Sequence, residues 1–155
     1  MDTCAVLVVS KYVVKGQMFI MNNAIEILNK RNVRQKIDPT KTQLFQGDVE
    51  SFLDSLPMEP IFDLVVTSPP YNIGKEYEKN QLSLEEYVAW QRRIIEKIYP
   101  RLKDNGSICW QVGNYVENGS ITPLDIELAP IFKDLNLRLR NRIIWHFGHG
   151  LHNRT

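Results

Sequence analysis

The chain alternates short apolar runs with longer stretches in which apolar residues recur every three or four positions. Residues 43–46 predict a short strand, and residues 49–56 carry apolar side chains at helical spacing. Residues 63–67 form a nearly continuous apolar run before two prolines, which predicts a strand buried on both faces of a parallel sheet. This order of strand, helix and strand is typical of an α/β fold.

A long helix is predicted in the middle of the chain. Ser83 and Glu86 have the spacing of a capping box, so the helix begins there and runs to about residue 102. Its predicted buried stripe consists of Tyr87, Trp90, Ile94, Ile98 and Leu102. The pair Asn105–Gly106 predicts the turn that closes this helix.

The alternation of strands and helices continues towards the end of the sequence. Residues 107–112 predict another buried strand, residues 123–135 an amphipathic helix, and residues 137–147 a further strand. We therefore predict the α/β class with a doubly wound sheet. In such sheets ligands bind in the crevice beyond the carboxyl ends of the strands.

The first 41 residues are expected to form an extension and linker, and residues 42–155 the domain proper. Residues 22–32 have the spacing of a short peripheral helix, and Pro39 interrupts the polar stretch before the first strand. The apolar run at residues 5–9 is too short to cross a membrane and lacks the features of a signal peptide. We expect no membrane contact and a cytoplasmic location.

Composition narrows the function classes only slightly. The 155 residues, 43% of them hydrophobic, suffice for one core, and the net charge of +1 neither favours nor excludes nucleic acid. Cys4 and Cys109 are too few for a disulfide framework or a four-ligand zinc site, and we expect Cys109 to be buried. No cysteine or carboxylate lies near His146, His149 and His152, so no metal site is predicted.

The candidate site is the tetrapeptide Ser68, Pro69, Pro70 and Tyr71, which follows the strand at residues 63–67. The prolines fix φ, lack backbone donors and leave their carbonyls as acceptors. A base amine would match this arrangement, because Ser68 Oγ and the Pro69 carbonyl could hold its two protons. Tyr71 could stack on a base taken out of a duplex. The alternative is a rigid turn whose tyrosine covers the core.

The wider context resembles one family. Gly47–Asp48, the segment Thr67–Lys75 and residues 110–114 and 140–145 resemble the beta-type, circularly permuted bacterial DNA amino-methyltransferases. The resemblance runs from about residue 44 to the end. It implies a truncated part of a Rossmann-like methyltransferase sheet, with methyl transfer from S-adenosylmethionine to cytosine N4 or adenine N6.

The resemblance also implies roles for single residues. Ser68, Pro69, Pro70 and Tyr71 would form the target-base pocket, and Asp48 would lie near the cofactor. Capping of the helix that follows is an equally good explanation of Asp48. Serine at the head of the tetrapeptide is commoner among the cytosine N4 enzymes of the family, so cytosine N4 is preferred and adenine N6 is the alternative.

Positive charge is concentrated near the end of the sequence. Arg138, Arg140 and Arg142 share one face of the predicted strand, and the last eighteen residues contain no Asp or Glu. Together with Lys75, in the polar loop after the tetrapeptide, these arginines are the expected contacts to double-stranded DNA. A solvated strand face is the alternative for the arginines.

The glycine-rich cofactor turn of this family, aromatic-x-Gly-x-Gly between a strand and a helix, is incomplete in the sequence. Residues 146–150 match its glycine spacing, but only five residues follow them. We expect either one piece of a split enzyme, completed by a complementary methyltransferase chain, or a truncated product that is inactive alone. The competing hypotheses are an inactive remnant that binds DNA or a partner chain, and methylation of RNA or protein amides.

Overall fold

The computed structural model describes residues 26–28, 43–45, 47–72 and 82–146. The elements in chain order are β1 (Glu26–Leu28), β2 (Gln43–Phe45), α1 (Val49–Ser55), β3 (Phe62–Thr67), α2 (Leu84–Ile98), a 3-10 turn (Tyr99–Arg101), β4 (Leu102–Trp110), β5 (Asn114–Glu117), β6 (Ser120–Pro123) and α3 (Leu124–Asp134). This mixed order agrees with the predicted α/β class. The described strands form three two-stranded sheets, and the larger doubly wound sheet remains a prediction.

The predicted helix over residues 22–32 is wrong in its centre. Glu26–Leu28 form β1, which pairs in parallel with β2 and brings Leu28 opposite Phe45. Helical periodicity over so few residues is a weak signal, and pairing with the backbone of β2 overrides it. The rest of the predicted helix lies outside the described residues.

The sheet that positions the site consists of β3 and β4, paired in parallel. Val65 lies opposite Ile108 and Thr67 opposite Trp110, but the register shifts between Phe62 and Leu64. The predicted turn at Asn105–Gly106 falls inside β4, within this shifted stretch, and not between α2 and the strand. The two strands pair on either side of this stretch, and the dipeptide lies in the irregularity between the paired positions.

One face of this sheet is covered by α1 and α2. The core between them consists of Phe45, Val49, Phe52, Leu53, Leu56, Phe62, Val65, Ile94 and Ile98. On the opposite face Leu64 and Val66 are 45% and 52% exposed, and Cys109 is exposed. The predictions of strands buried on both faces and of a buried Cys109 are therefore wrong in the described structure. An apolar sequence shows that a strand can be buried, but not which elements cover it.

Helix α2 begins as predicted. Ser83 Oγ accepts a hydrogen bond from Glu86 N at 3.2 Å, and Glu86 Oε2 accepts one from Ser83 N at 2.9 Å. The helix ends at Ile98, four residues earlier than predicted, because Pro100 cannot continue its hydrogen bonds and a 3-10 turn follows. Of the predicted stripe, Tyr87, Ile94 and Ile98 are buried and Trp90 and Leu102 are partly buried; Gln91 and Ile95, which it omitted, are buried too.

A hairpin that the sequence analysis did not identify connects this sheet to α3. Strands β5 and β6 are antiparallel, and Asn118 and Gly119 form the turn with φ of 50° and 79°. An Asn-Gly pair is favoured where both central residues need positive φ. The predicted helix over residues 123–135 is confirmed as α3. It completes a second core of Tyr87, Ile95, Tyr115, Leu124, Leu128 and Ile131.

The predicted strand at residues 137–147 is wrong over its described part. Residues 137–146 are neither helix nor strand, and Leu139 and Ile143 are more than 80% exposed. Alternating side chains make a strand only where a neighbouring strand accepts its backbone hydrogen bonds. None of the strands in the described ranges pairs with this segment.

No helix within the described ranges is long and apolar enough to cross a membrane.

Candidate functional site

The tetrapeptide Ser68–Tyr71 lies where the carboxyl ends of β3 and β4 meet. Gln111 N donates a hydrogen bond to Thr67 O at 2.9 Å, which extends the pairing one step beyond the two strands. The segment that follows β3 is thereby held beside residues 111–113, which follow β4. This is the edge of a parallel sheet at which we expected a ligand site.

Ser68 and Tyr71 are joined through their side chains. The distance between Ser68 Oγ and Tyr71 Oη is 2.7 Å, and either oxygen can donate. Ser68 is exposed and Tyr71 is partly buried. If Ser68 donates to Tyr71, both lone pairs of Ser68 Oγ remain available to an incoming N–H group. The two residues predicted to hold and to stack on a base therefore form one hydrogen-bonded unit.

The Tyr71 ring lies against Gly113. A Cβ atom at position 113 would be 3.1 Å from Tyr71 Cδ2, closer than ordinary van der Waals contact. Leu124 N donates to Gly113 O at 3.3 Å, so the start of α3 holds this backbone. Glycine at this position gives the tyrosine ring a flat surface to lie on, and a side chain there would displace it.

The first two turns of α2 and the residues just before them hold the tetrapeptide from the other side. Tyr87 Oη donates to Pro70 O at 2.9 Å, and Tyr87 is fully buried. Asn72 adopts a positive φ of 59°; its Nδ2 donates to Leu82 O at 2.6 Å, and its Oδ1 accepts from Leu82 N at 2.8 Å. Neither residue was predicted to belong to the site, although asparagine is among the few residues that tolerate this conformation.

A buried polar pair lies one helical turn further along α2. Gln91 is fully buried, and its Oε1 accepts a hydrogen bond from Trp110 Nε1 at 3.2 Å. An indole N–H can only donate, so this bond fixes which way the amide is turned. Gln91 Nε2 has no hydrogen-bond partner among the described residues. No periodicity argument would have distinguished this glutamine from a solvent-facing one.

The described part of the site consists of uncharged donors and acceptors. The hydroxyls of Ser68, Tyr71 and Tyr87 and the proline carbonyls are its polar groups. The neutral hydroxyl and carbonyl oxygens of the site can hold the protons of an amine.

Tyr115 lies in the neighbouring core and is 3% exposed. Burial raises the pKa of its phenol, and nearby Glu117 adds to the shift.

Asp48 lies outside this arrangement, at the start of α1. Its Oδ1 accepts a hydrogen bond from Ser51 N at 2.9 Å, so it is the N-cap of that helix. The capping explanation is therefore confirmed, and a position near the cofactor stays a prediction. The described residues contain no glycine-rich turn between a strand and a helix.

The residues predicted to contact DNA lie in different environments. Arg138 and Arg140 are exposed, whereas Arg142 Nε is 2.6 Å from Asp125 Oδ2 on α3. Lys75 lies outside the described residues. Within the described ranges no group of three or more His, Cys, Asp or Glu residues could hold a metal ion.

The residues of the candidate site lie in a region that matches a known protein family. Residues 62–154 match the family model of the N6 and N4 methyltransferases, described as DNA methylase. The chain belongs to this family. The matched region contains the tetrapeptide, Tyr87, Gln91 and Gly113, and thus the whole arrangement around Pro70.

Three similar proteins are named as Type II methyltransferases. The chain is 49% identical to the Type II methyltransferase M.BglII of Bacillus subtilis over 111 residues, which are 71% of this chain and 30% of that protein. It is 36% identical to M.ScaI of Streptomyces caespitosus, over 72% of this chain and 36% of the relative. It is 34% identical to M.MjaVI of Methanocaldococcus jannaschii, over 63% and 51%.

The chain thus spans between about a third and a half of the length of these curated relatives. No solved structure matches it significantly.

Proposed function

We propose that this chain forms the target-base part of a site-specific DNA methyltransferase. The enzyme would transfer a methyl group from S-adenosylmethionine to the exocyclic amine of a flipped base in double-stranded DNA. The observation that carries this proposal is the hydrogen-bonded unit of Ser68 and Tyr71 at the carboxyl end of β3, in a chain of the N6/N4 methylase family. The methyl donor's seat would be formed by residues outside the described ranges, in this chain or in a complementary methyltransferase chain.

The chemistry assigned to Ser68 and Pro69 concerns the two protons of the base amine. The lone pair of such an amine is delocalised into the ring, so the nitrogen is a poor nucleophile. Hydrogen bonds to Ser68 Oγ and to the Pro69 carbonyl would draw the nitrogen towards tetrahedral geometry and localise that lone pair. When bound, S-adenosylmethionine would supply the methyl group.

Tyr71 has two roles in this proposal. Its ring would stack on the flipped base, which needs an aromatic or apolar face once it has left the duplex. Its hydroxyl would accept the proton of Ser68, so that Ser68 Oγ turns its lone pairs towards the amine. Tyr71→Phe should therefore keep the stacking surface and lose the hydrogen bond that orients Ser68 Oγ. We expect the activation free energy of methyl transfer to rise by about 0.5–1.5 kcal/mol, which lowers the rate roughly two- to tenfold.

Cytosine N4 is the proposed target, with adenine N6 as the alternative. The preference depends on serine at position 68, which is commoner among the cytosine N4 enzymes of the family. A neutral hydroxyl and a carboxylate can both accept from an amine, so adenine N6 stays the alternative. Arg138 and Arg140, exposed and away from described carboxylate partners, are the proposed phosphate contacts. Arg142 would have to exchange Asp125 for a phosphate, and Lys75 is assigned from the sequence alone.

A second candidate function is supported by the uncovered apolar residues. Leu64 and Val66 on the open face of the sheet, and Ile143 and Trp145 in the segment after α3, are all exposed. Exposed apolar surface of this kind is typical of a surface that binds another protein. A chain that binds DNA or a partner without catalysis would use these residues and would not depend on Ser68 or Pro69.

The two candidates are separated by a filter assay with tritiated S-adenosylmethionine and mixed-sequence duplex DNA. The purified chain is assayed alone and together with a complementary methyltransferase chain. Hydrolysed product is analysed for N4-methylcytosine and N6-methyladenine. We expect turnover in the mixture, and we expect it to be lost in Pro69→Ala and Tyr71→Ala. Tyr99→Phe, in the 3-10 turn, is the matched control and should keep it. Binding without turnover in every mixture would favour the second candidate, and turnover that survives both alanine variants would disprove the assigned site.

A further inference from the structure

We propose that Tyr87 is a positioning residue of the target-base pocket. Its buried hydroxyl would set the direction of the peptide between Pro70 and Tyr71, and through it the placement of the Tyr71 ring. The consequence for catalysis rests on the function proposed above. The structural consequence does not, and it can be tested separately.

The tetrapeptide needs support from outside because it has few donors of its own. Pro69 and Pro70 both lack a backbone N–H group, so neither can hold the segment through a donated hydrogen bond. Its direction must therefore be fixed through carbonyls and side chains. The bond from Tyr87 Oη to Pro70 O, at 2.9 Å, is such a contact and joins residues 17 positions apart.

The burial of Tyr87 makes this contact specific. The residue is fully buried, and its ring packs edge-on against Trp90 with centroids 6.0 Å apart. A buried hydroxyl needs a partner in the protein, because water cannot reach it. The ring alone would satisfy the packing role, so the hydroxyl has a separate purpose, which is to bind the Pro70 carbonyl.

A second anchor lies on the other side of Tyr71. Asn72 is bonded to both backbone groups of Leu82, two residues before α2, and the capping box of Ser83 and Glu86 fixes the start of that helix. Tyr71 is therefore held between two neighbours that are both tied to the beginning of α2. Its ring can then lie only on Gly113 and within reach of Ser68.

The two proline carbonyls thereby acquire different roles. Pro70 O is bonded to Tyr87, whereas Pro69 O receives no hydrogen bond from the described residues. Pro69 O is the carbonyl that the proposed function assigns to the base amine. Tyr87 would thus keep Pro70 out of the reaction and hold the stacking ring at a fixed distance from the acceptors.

The test uses Tyr87→Phe, which keeps the ring and removes the hydroxyl. Residues 70 and 71 are the sole Pro-Tyr dipeptide in the sequence. The full chain labelled with ¹³C′-proline and ¹⁵N-tyrosine therefore gives one signal in a carbonyl-to-amide NMR experiment, and it reports on this peptide. The matched control is Tyr115→Phe, a buried tyrosine whose phenol lies beside Glu117 instead.

We expect the Pro70 carbonyl resonance to move upfield in Tyr87→Phe, as a carbonyl does when it loses a donor, and to stay in place in Tyr115→Phe. An unmoved resonance in a folded Tyr87→Phe protein would overturn the proposal. So would an equal shift in both variants, because a general loosening of the core would then explain it.

The catalytic consequence is measured in the methyl-transfer assay described above. Misplacement of a reacting geometry by an ångström costs up to about 100-fold, so we expect kcat to fall by about 10- to 100-fold in Tyr87→Phe, with KM for DNA unchanged. A shifted Pro70 carbonyl with unchanged kcat would refute the positioning role. If the wild-type mixture shows no turnover, the proposed function fails, and the NMR signal still decides the structural part.

Discussion

Val65 and Ile108 lie side by side on one face of the β3–β4 sheet, beneath α1 and α2, whereas Leu64 and Val66 on the opposite face are half exposed. The residues on the two faces of β3 are equally apolar, so their difference comes from what packs on them. The helix that covers the first face also carries Tyr87 and Gln91. The helix that packs on the covered face therefore also supports the candidate site.

The largest difference in stability between the two faces is expected when a leucine is replaced by alanine. Leu53 of α1 is 2% exposed within the core, so Leu53→Ala should lower the free energy of unfolding by about 2–5 kcal/mol. Leu64→Ala, on the open face, should cost well under half as much. Urea unfolding of both variants measures the difference. Equal losses would show that Leu64 is covered in solution.

A smaller difference is expected from adjacent valines in β3. Val65→Thr places a hydroxyl among apolar neighbours, which costs about 1–3 kcal/mol when no partner is available. Val66→Thr places the same hydroxyl in water and should change the free energy of unfolding by less than about 0.5 kcal/mol. The shape is conserved in both, so thermal unfolding compares the two environments directly. A penalty at position 66 would contradict the exposed face.

Substitution of Asp48 tests how much the N-cap of α1 contributes to the stability of the protein. Asp48→Ala should cost about 0.5–2 kcal/mol, because Ser51 N loses its acceptor. Asp48→Asn keeps an acceptor at the same place and should retain most of the stability. If Asn destabilises the protein as much as Ala does, the negative charge of Asp48, and not its cap, is what matters.

The smallest effect on stability is expected at Cys109. Cys109→Ser should change the free energy of unfolding by less than about 0.5 kcal/mol, since the thiol is exposed beside Val66. In a Cys4→Ser background, the remaining thiol should react with Ellman's reagent at once in the folded protein. A thiol that reacts only after denaturant is added would mean that something covers this face.

Local signals in the sequence predicted local structure well. The capping box of Ser83 and Glu86, the Asp48 cap and the α3 helix are set by residues three or four positions apart, and all three are confirmed. The Asn118–Gly119 turn carried an equally strong local signal that the analysis overlooked. The position of the tetrapeptide at the carboxyl end of β3 followed from the predicted strand at residues 63–67.

The contacts that could not be predicted join residues far apart in the chain. Tyr87 looked like one member of an apolar stripe, and Gln91 was left out of that stripe, because periodicity records spacing and not hydrogen-bond partners. The exposure of Cys109 and of Ile143 depends on elements that cover or pair with them. A pattern of apolar residues indicates which residues can be buried, but it does not identify the residues that contact or cover them.

The paired hydrogen bonds between Asn72 and Leu82 also bear on how the sequence can change over time. They join Asn72 to Leu82, the two residues on either side of positions 73–81. Each doubling of a loop costs only about 0.6 kcal/mol in closure entropy. Lengthening the chain between these two residues should therefore cost little closure entropy. We expect such an insertion to leave the hydrogen bonds between Asn72 and Leu82, next to Tyr71, in place.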